Sequence, residues 1–186
     1  MAATPAAWNI TVDSNGNILT VTQGNPPSDA IPVPPEINPM MVLPNPGAFL
    51  WDGTTIVRKP DTLAQAQAKQ NALLTASCIA AITGGFISSA LGSPYTYPST
   101  LTDQHNLAVS VMASLLPNLP TGWTTPFWVM DSAGAWSFTP HTAAQIQQAG
   151  LDGKAWVTTQ QETLASLDAQ VWAATTVAAV QAIIYS

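Results

Sequence analysis

Ten of the chain's sixteen prolines fall between Pro5 and Pro60. Proline fixes φ, lacks an amide donor and pushes the residue before it towards extended geometry. The run Ile31-Pro-Val-Pro-Pro-Glu-Ile-Asn-Pro-Met alternates proline with apolar residues. The segment from about Asn25 to Gly47 is therefore expected to hold no helix and to run as an irregular or polyproline-like arm lying on some surface. Two β-prone stretches flank this arm. Trp8-Asn-Ile-Thr-Val-Asp and Ile18-Leu-Thr-Val-Thr surround Ser14-Asn-Gly-Asn, which predicts a hairpin turning at an Asn-Gly pair. Ala48-Phe-Leu-Trp-Asp-Gly-Thr-Thr-Ile-Val predicts a second, turning at Asp52-Gly53.

From Thr62 the composition shifts to Ala, Gln and Leu, and Thr62 with Gln65 has the spacing of a capping box. A helix is expected to follow, with Leu63, Ala66, Leu73, Ala76 or Cys78, and Ile82 on one face, until Gly84-Gly85 stops it. A second helix is expected from Thr102 or Asp103, carrying Leu107, Val111 and Leu115, to Pro117. The connection between them, residues 86–98, is apolar and aromatic and is expected to pack. Thr125 to Met130 and Ala135 to Pro140, joined by Asp131-Ser-Ala-Gly, read as one hairpin with alternating aromatic positions. Thr142 and Gln145 repeat the capping-box spacing ahead of a third helix, which Gly150 and Gly153 are expected to bend or interrupt before Trp172. A short last helix starts at Thr176. The expected fold is α+β: residues 1–60 form a region of β-hairpins and a proline-rich arm for attachment, and residues 61–186 form a mainly helical domain with one β-hairpin.

Charged residues make up only 8% of the sequence, against about a quarter in ordinary soluble domains. A surface so poor in ionic groups is expected to be covered by other subunits. The four cations, Arg58, Lys59, Lys69 and Lys154, make no patch able to neutralise a row of phosphates, so nucleic acid is not an expected partner. No stretch has the apolar length of a membrane span, and the N-terminus lacks a basic start and an apolar run, so the chain is expected to be made in the cytoplasm. The single cysteine, Cys78, sits among Leu74, Ile79 and Ile82 and reads as a small buried hydrophobe.

Three groups of residues carry a resemblance: Gly85-Phe-Ile-Ser-Ser-Ala-Leu-Gly-Ser, Tyr95-Thr-Tyr-Pro with Asp103-Gln-His-Asn-Leu, and Trp136 with His141 to Gln145. Together they resemble an uncharacterised domain family found at the C-terminal end of tail-fibre and tail-fibre-associated proteins of tailed bacteriophages, over roughly Thr62 to Ile184. Trp51-Asp-Gly-Thr-Thr-Ile-Val-Arg-Lys-Pro is similar to the lead-in of such proteins. The resemblance implies a virion structural protein of the tail, with other tail or fibre proteins as partners. Because fibres are commonly trimeric, it also implies a homo-oligomer, a trimer, with the Ala-rich helix from Thr62 to Ile82 near its axis. It equally fits a fibre-assembly chaperone and, less directly, a glycan-binding or glycan-cleaving tip that meets a host cell-surface receptor. Within the signature, Asp103 and Asn106 read as caps of the second helix.

No cofactor, metal ligand set or catalytic group is expected. His105 and His141 are the only histidines, and Asp103 and His105, two apart at a helix start, do not share a face. His141 reads as an N-terminal helix residue packed on the hairpin. Asp131, Asp152 and Glu162 are the carboxylates available for a glycan-cleaving pair, but Asp131 and Asp152 read as turn residues beside glycines. Seven tryptophans raise a binding role. Tyr95, Tyr97, Trp123, Trp128 and Trp136 are the candidate receptor or glycan contacts, against the plainer reading that such rings fill the core.

Overall fold

The computed structural model describes residues 7–186, and the chain divides into two units, the first ending at Asp61 and the second running from Thr62 to Ser186. The first six residues of the expected attachment region lie outside the described residues.

In the first unit β1 (Trp8–Val12) and β2 (Ile18–Gln23) form the Asn-Gly hairpin. Its turn is organised by Asp13, whose Oδ1 accepts from the amides of Asn15 (2.9 Å) and Asn17 (2.8 Å). The Asn17 side-chain amide donates to Oδ2 (2.6 Å), and this bond, ahead of the backbone ones, holds the Asp13 carboxyl below the usual carboxylate range. Gly16 has φ of 78°, and a Cβ there would lie 2.3 Å from the carbonyl oxygen of Trp51, so the turn admits no side chain. β4 (Phe49–Trp51) and β5 (Ile56–Arg58) form the second hairpin, with Asp52 accepting from the amides of Thr54 and Thr55.

The proline-rich segment departs from expectation. It is irregular, but it folds back onto its own unit. β3 (Ile31–Pro32) pairs with the free edge of β1, and α1 (Pro39–Val42) is a single helical turn. Proline is harmless at both places, on an edge strand and at the first helical position, where Asn38 caps the turn by accepting from the Met40 amide. Val42 is buried with Ile10, Ile18 and Ile56, and Ile31, Val33 and Ile37 pack against them. The surface this segment lies on is the hairpin before it.

In the second unit, α2 (Leu63–Thr83), α3 (Leu101–Ser114) and α4 (Ala143–Ala173) each begin with a complete capping box. The box of α3 is Thr100 with Asp103, so the helix starts earlier than expected; Asp103 is its third residue rather than its cap, and Asn106 lies inside it. α5 (Val177–Gln181) follows Thr176. β6 (Phe86–Ser88) and β7 (Tyr95–Tyr97) turn the expected plain connection into a second hairpin. It joins β8 (Thr124–Met130) and β9 (Trp136–Thr142) in a four-stranded antiparallel sheet of order β6-β7-β8-β9. Three-residue strands are too short for an alternating pattern to be read from sequence.

α4 runs unbroken through Gly150 and Gly153. Both glycines serve close approach rather than a bend: a Cβ on Gly153 would lie 2.9 Å from the Phe86 ring, and one on Gly150 2.7 Å from Val111. The core joins Phe86, Tyr97, Phe127 and Val129 of the sheet to Leu107 of α3 and to Ile146 and Ala149 of α4. A second cluster packs Ala66 and Leu74 of α2 against Val171 and Val180. The buried face of α2 is thus Ala66, Gln67, Leu74 and Cys78, and Leu73, expected inside, is exposed. Gln67 is tolerated there because its amide donates to the Val171 carbonyl (3.2 Å) at the end of α4.

Candidate ligand-binding surface

One face of the four-stranded sheet carries the core, and the other carries aromatic residues at alternate positions. Pairing across β8 and β9 sets Pro126 opposite Pro140, Trp128 opposite Phe138 and Met130 opposite Trp136. Two prolines can face each other only at a non-hydrogen-bonded pair, and the period of two makes every outer-face pair one of these close-set pairs. β7 reaches only to Met130, so Pro126 interrupts no ladder on its other side. The rings of Trp128 and Phe138 sit 5.2 Å apart with planes tilted by 38°. Trp128, Trp136 and Phe138 are each about half exposed (47, 48 and 55%), and Ile87 of β6 more so (70%).

The five candidate contact residues therefore separate. Trp128 and Trp136 stand on the outer face. Tyr95 and Trp123 are partly buried against the core. Tyr97 is corrected: it is completely buried, stacked between Phe86 (5.3 Å) and Phe127 (6.2 Å), and touches no ligand from outside. Phe138, not one of these five, joins the surface; it belongs to the same alternation as Trp128 and Trp136.

The buried histidine is part of the core's own chemistry. His141 is the penultimate residue of β9 rather than the start of a helix, and it is fully buried. Its Nδ1 lies 2.8 Å from the Thr139 carbonyl, which can only accept, so Nδ1 carries the proton and Nε2 accepts from the Tyr97 hydroxyl at 2.8 Å. Burial pushes the Tyr97 hydroxyl up to about 12, with the charge of Asp152 adding to it. Burial holds His141 below its ordinary value, against the opposing effect of the Thr139 carbonyl.

Asp131 and Asp152 are each engaged by hydrogen bonds of their own. Asp131 accepts from the amides of Ala133 and Ala135 (both 2.9 Å) and holds the β8–β9 turn. Asp152, expected in a turn, is in α4, where it accepts from Ser88 and from Gln148. Glu162 follows it by ten residues on the same helix, a rise of about 15 Å along the axis, which exceeds the separation of a glycosidase pair. Cys78 is buried, its thiol 3.5 Å from the Gln160 carbonyl. Among the described residues no group of three or more His, Cys, Asp or Glu is placed to hold a metal ion, and no helix is long and apolar enough to cross a membrane.

A second concavity, of about 670 Å³, lies between α3 and α4 and is lined by Leu107, Val111, Met112, Leu115, Leu151 and Val157 among others. Leu115, expected on one face with Leu107 and Val111, is exposed there, as are Met112 and Leu151.

Fold and surface together define an α+β domain with an uncovered aromatic sheet face and an apolar groove between helices. Residues 65–185 match the family described as Domain of unknown function (DUF4376), and the chain belongs to that family. No curated protein and no solved structure gives a significant match.

Proposed function

We propose that the chain is a non-enzymatic structural component of a bacteriophage tail fibre, a fibre subunit or a close accessory, attached through its N-terminal region and completed by copies of itself. The observation that carries this reading is the mismatch between surface and solvent. Only 8% of the residues are charged, while Leu73 and Ile79 of α2, Met112 of α3, Leu115 and Leu116 just beyond it, and Leu151 of α4 each expose more than half of their surface. Exposed apolar residues gathered along a groove mark an association surface. The outward side of α2 and the α3–α4 groove are the faces on which copies meet, and a trimer is the expected assembly. The partners are then other tail proteins and a host cell-surface receptor, and the location is the virion tail.

Light scattering on the purified full chain tests the assembly. A mass three times 19.4 kDa at micromolar concentration is expected, and Leu115→Glu with Met112→Glu reduces it. A monodisperse monomer would overturn the reading. Quantitative mass spectrometry of purified particles then separates the two forms of the proposal. A fibre subunit is present in multiple copies per particle, and an assembly chaperone is depleted.

A further inference from the structure

α3 and the β8–β9 ribbon enclose a cleft of about 270 Å³. Its two sides differ in chemistry. The strands contribute the Trp128–Phe138 ring pair, half exposed and held by close-set pairing. The helix contributes the polar groups of Asp103, Asn106 and Ser110, with the apolar Val109 between them. The Asp103 carboxylate is anchored by the Thr100 amide and hydroxyl, which fixes its position. Asn106 and Ser110 make no side-chain hydrogen bond among the described residues, so their polar groups are free for a ligand.

This division narrows the ligand. A wholly apolar occupant would strip water from Asn106, Ser110 and Asp103 without replacing their hydrogen bonds. An anion is opposed by Asp103, and the cleft's lining includes none of the chain's four cations. Ligand pockets for drug-sized molecules start at about 300 Å³, so the cleft suits one ring with its substituents rather than several. A neutral ring with an apolar C–H face and a rim of hydroxyls that both donate and accept satisfies both sides at once. We propose that this cleft binds one neutral hexopyranose unit of a glycan, its C–H face against the Trp128–Phe138 pair and its hydroxyls on Asn106, Ser110 and Asp103. The inference goes beyond the structural role and is independent of it, because the cleft lies within one chain and needs neither a fibre nor a second copy.

The test follows the tryptophan indole N–H signals of the ¹⁵N-labelled full chain during titration with the methyl glycosides of glucose, galactose, mannose and N-acetylglucosamine. At least one glycoside is expected to move the Trp128 signal, identified by its loss in Trp128→Phe, with a Kd on the order of 1–10 mM. Asn106→Ala weakens that binding about tenfold, the loss expected for a hydrogen bond from a neutral group. Trp172→Ala, which removes an exposed tryptophan of α4 outside the cleft, leaves it unchanged, and this variant controls for a general effect of losing a surface indole. Cyclohexylmethanol, which keeps the ring and one hydroxyl, binds about tenfold more weakly than the best glycoside. The proposal is overturned if no glycoside moves the Trp128 signal, if Asn106→Ala binds like the parent, if Trp172→Ala abolishes binding, or if cyclohexylmethanol binds as tightly as the sugar.

Discussion

Replacing Tyr97 with phenylalanine removes one oxygen from the middle of the second unit and leaves everything else in place. The ring, stacked between Phe86 and Phe127, is retained, so the packing term is nearly unchanged. What is lost is the hydroxyl bond to His141 Nε2, 2.8 Å long between two residues with no solvent exposure. A neutral hydrogen bond contributes about 1 kcal/mol net, and a buried acceptor left without its donor costs about 1–3 kcal/mol. Because these overlap, the expected destabilisation is about 2 kcal/mol, roughly a thirtyfold fall in the folding constant. Urea denaturation of the full chain at pH 8, read by circular dichroism at helical wavelengths, measures it. The double variant Tyr97→Phe/His141→Phe isolates the orphaned-acceptor contribution, since it removes the acceptor along with the donor. Its two changes are expected to couple, with Tyr97→Phe costing less in the absence of His141. A loss under about 0.5 kcal/mol for Tyr97→Phe, or strict additivity in the cycle, would refute the account of Tyr97 and His141 as a mutually satisfying buried pair.

The same pair sets a pH dependence. Burial depresses the His141 pKa in the folded chain from 6.5, so as pH falls through about 6.5 the unfolded chain takes up a proton that the native one does not, and stability declines until the folded value is reached. Denaturation midpoints at pH 7.5 and 5.5 are expected to differ more in the parent than in His141→Phe, and equal differences would remove His141 as the cause. Gly153→Ala tests the close approach of α4 to β6. Alanine gains about 1 kcal/mol of helix propensity, but its Cβ would lie 2.9 Å from a buried Phe86 ring, an overpacking cost of about 1–3 kcal/mol. Net destabilisation of about 1 kcal/mol is expected, and a stabilised variant would show that the ring moves aside freely.

What could be read from the primary sequence was the chemistry that acts over a few residues. Thr62 with Gln65 and Thr142 with Gln145 announce their helices because a capping box needs only four positions. The hairpin turns at Asn15-Gly16, Asp52-Gly53 and Asp131 to Gly134 were visible because aspartate and glycine satisfy a turn with their own atoms. Of the aromatic surface, Trp128 and Trp136 were legible through strand alternation. Phe138 and the facing Asn106 and Ser110 were not, since nothing in a linear pattern says which helix will flank a given strand.

Local sequence therefore determined the α+β character, the helix starts, and the existence of a β8–β9 ribbon with rings at alternate positions. Only tertiary structure decided that the proline-rich segment closes on its own hairpin, because the same pattern of proline and apolar residues suits any apolar surface and the nearest one is within the unit. It also decided that Gly150 and Gly153 admit Val111 and a phenyl ring instead of bending a helix. Finally, it separated Tyr97 from Trp128. Both are aromatic candidate contacts in the sequence, but which face of a sheet receives the helices is settled by packing between elements far apart in the chain, and that choice buries one and leaves the other open.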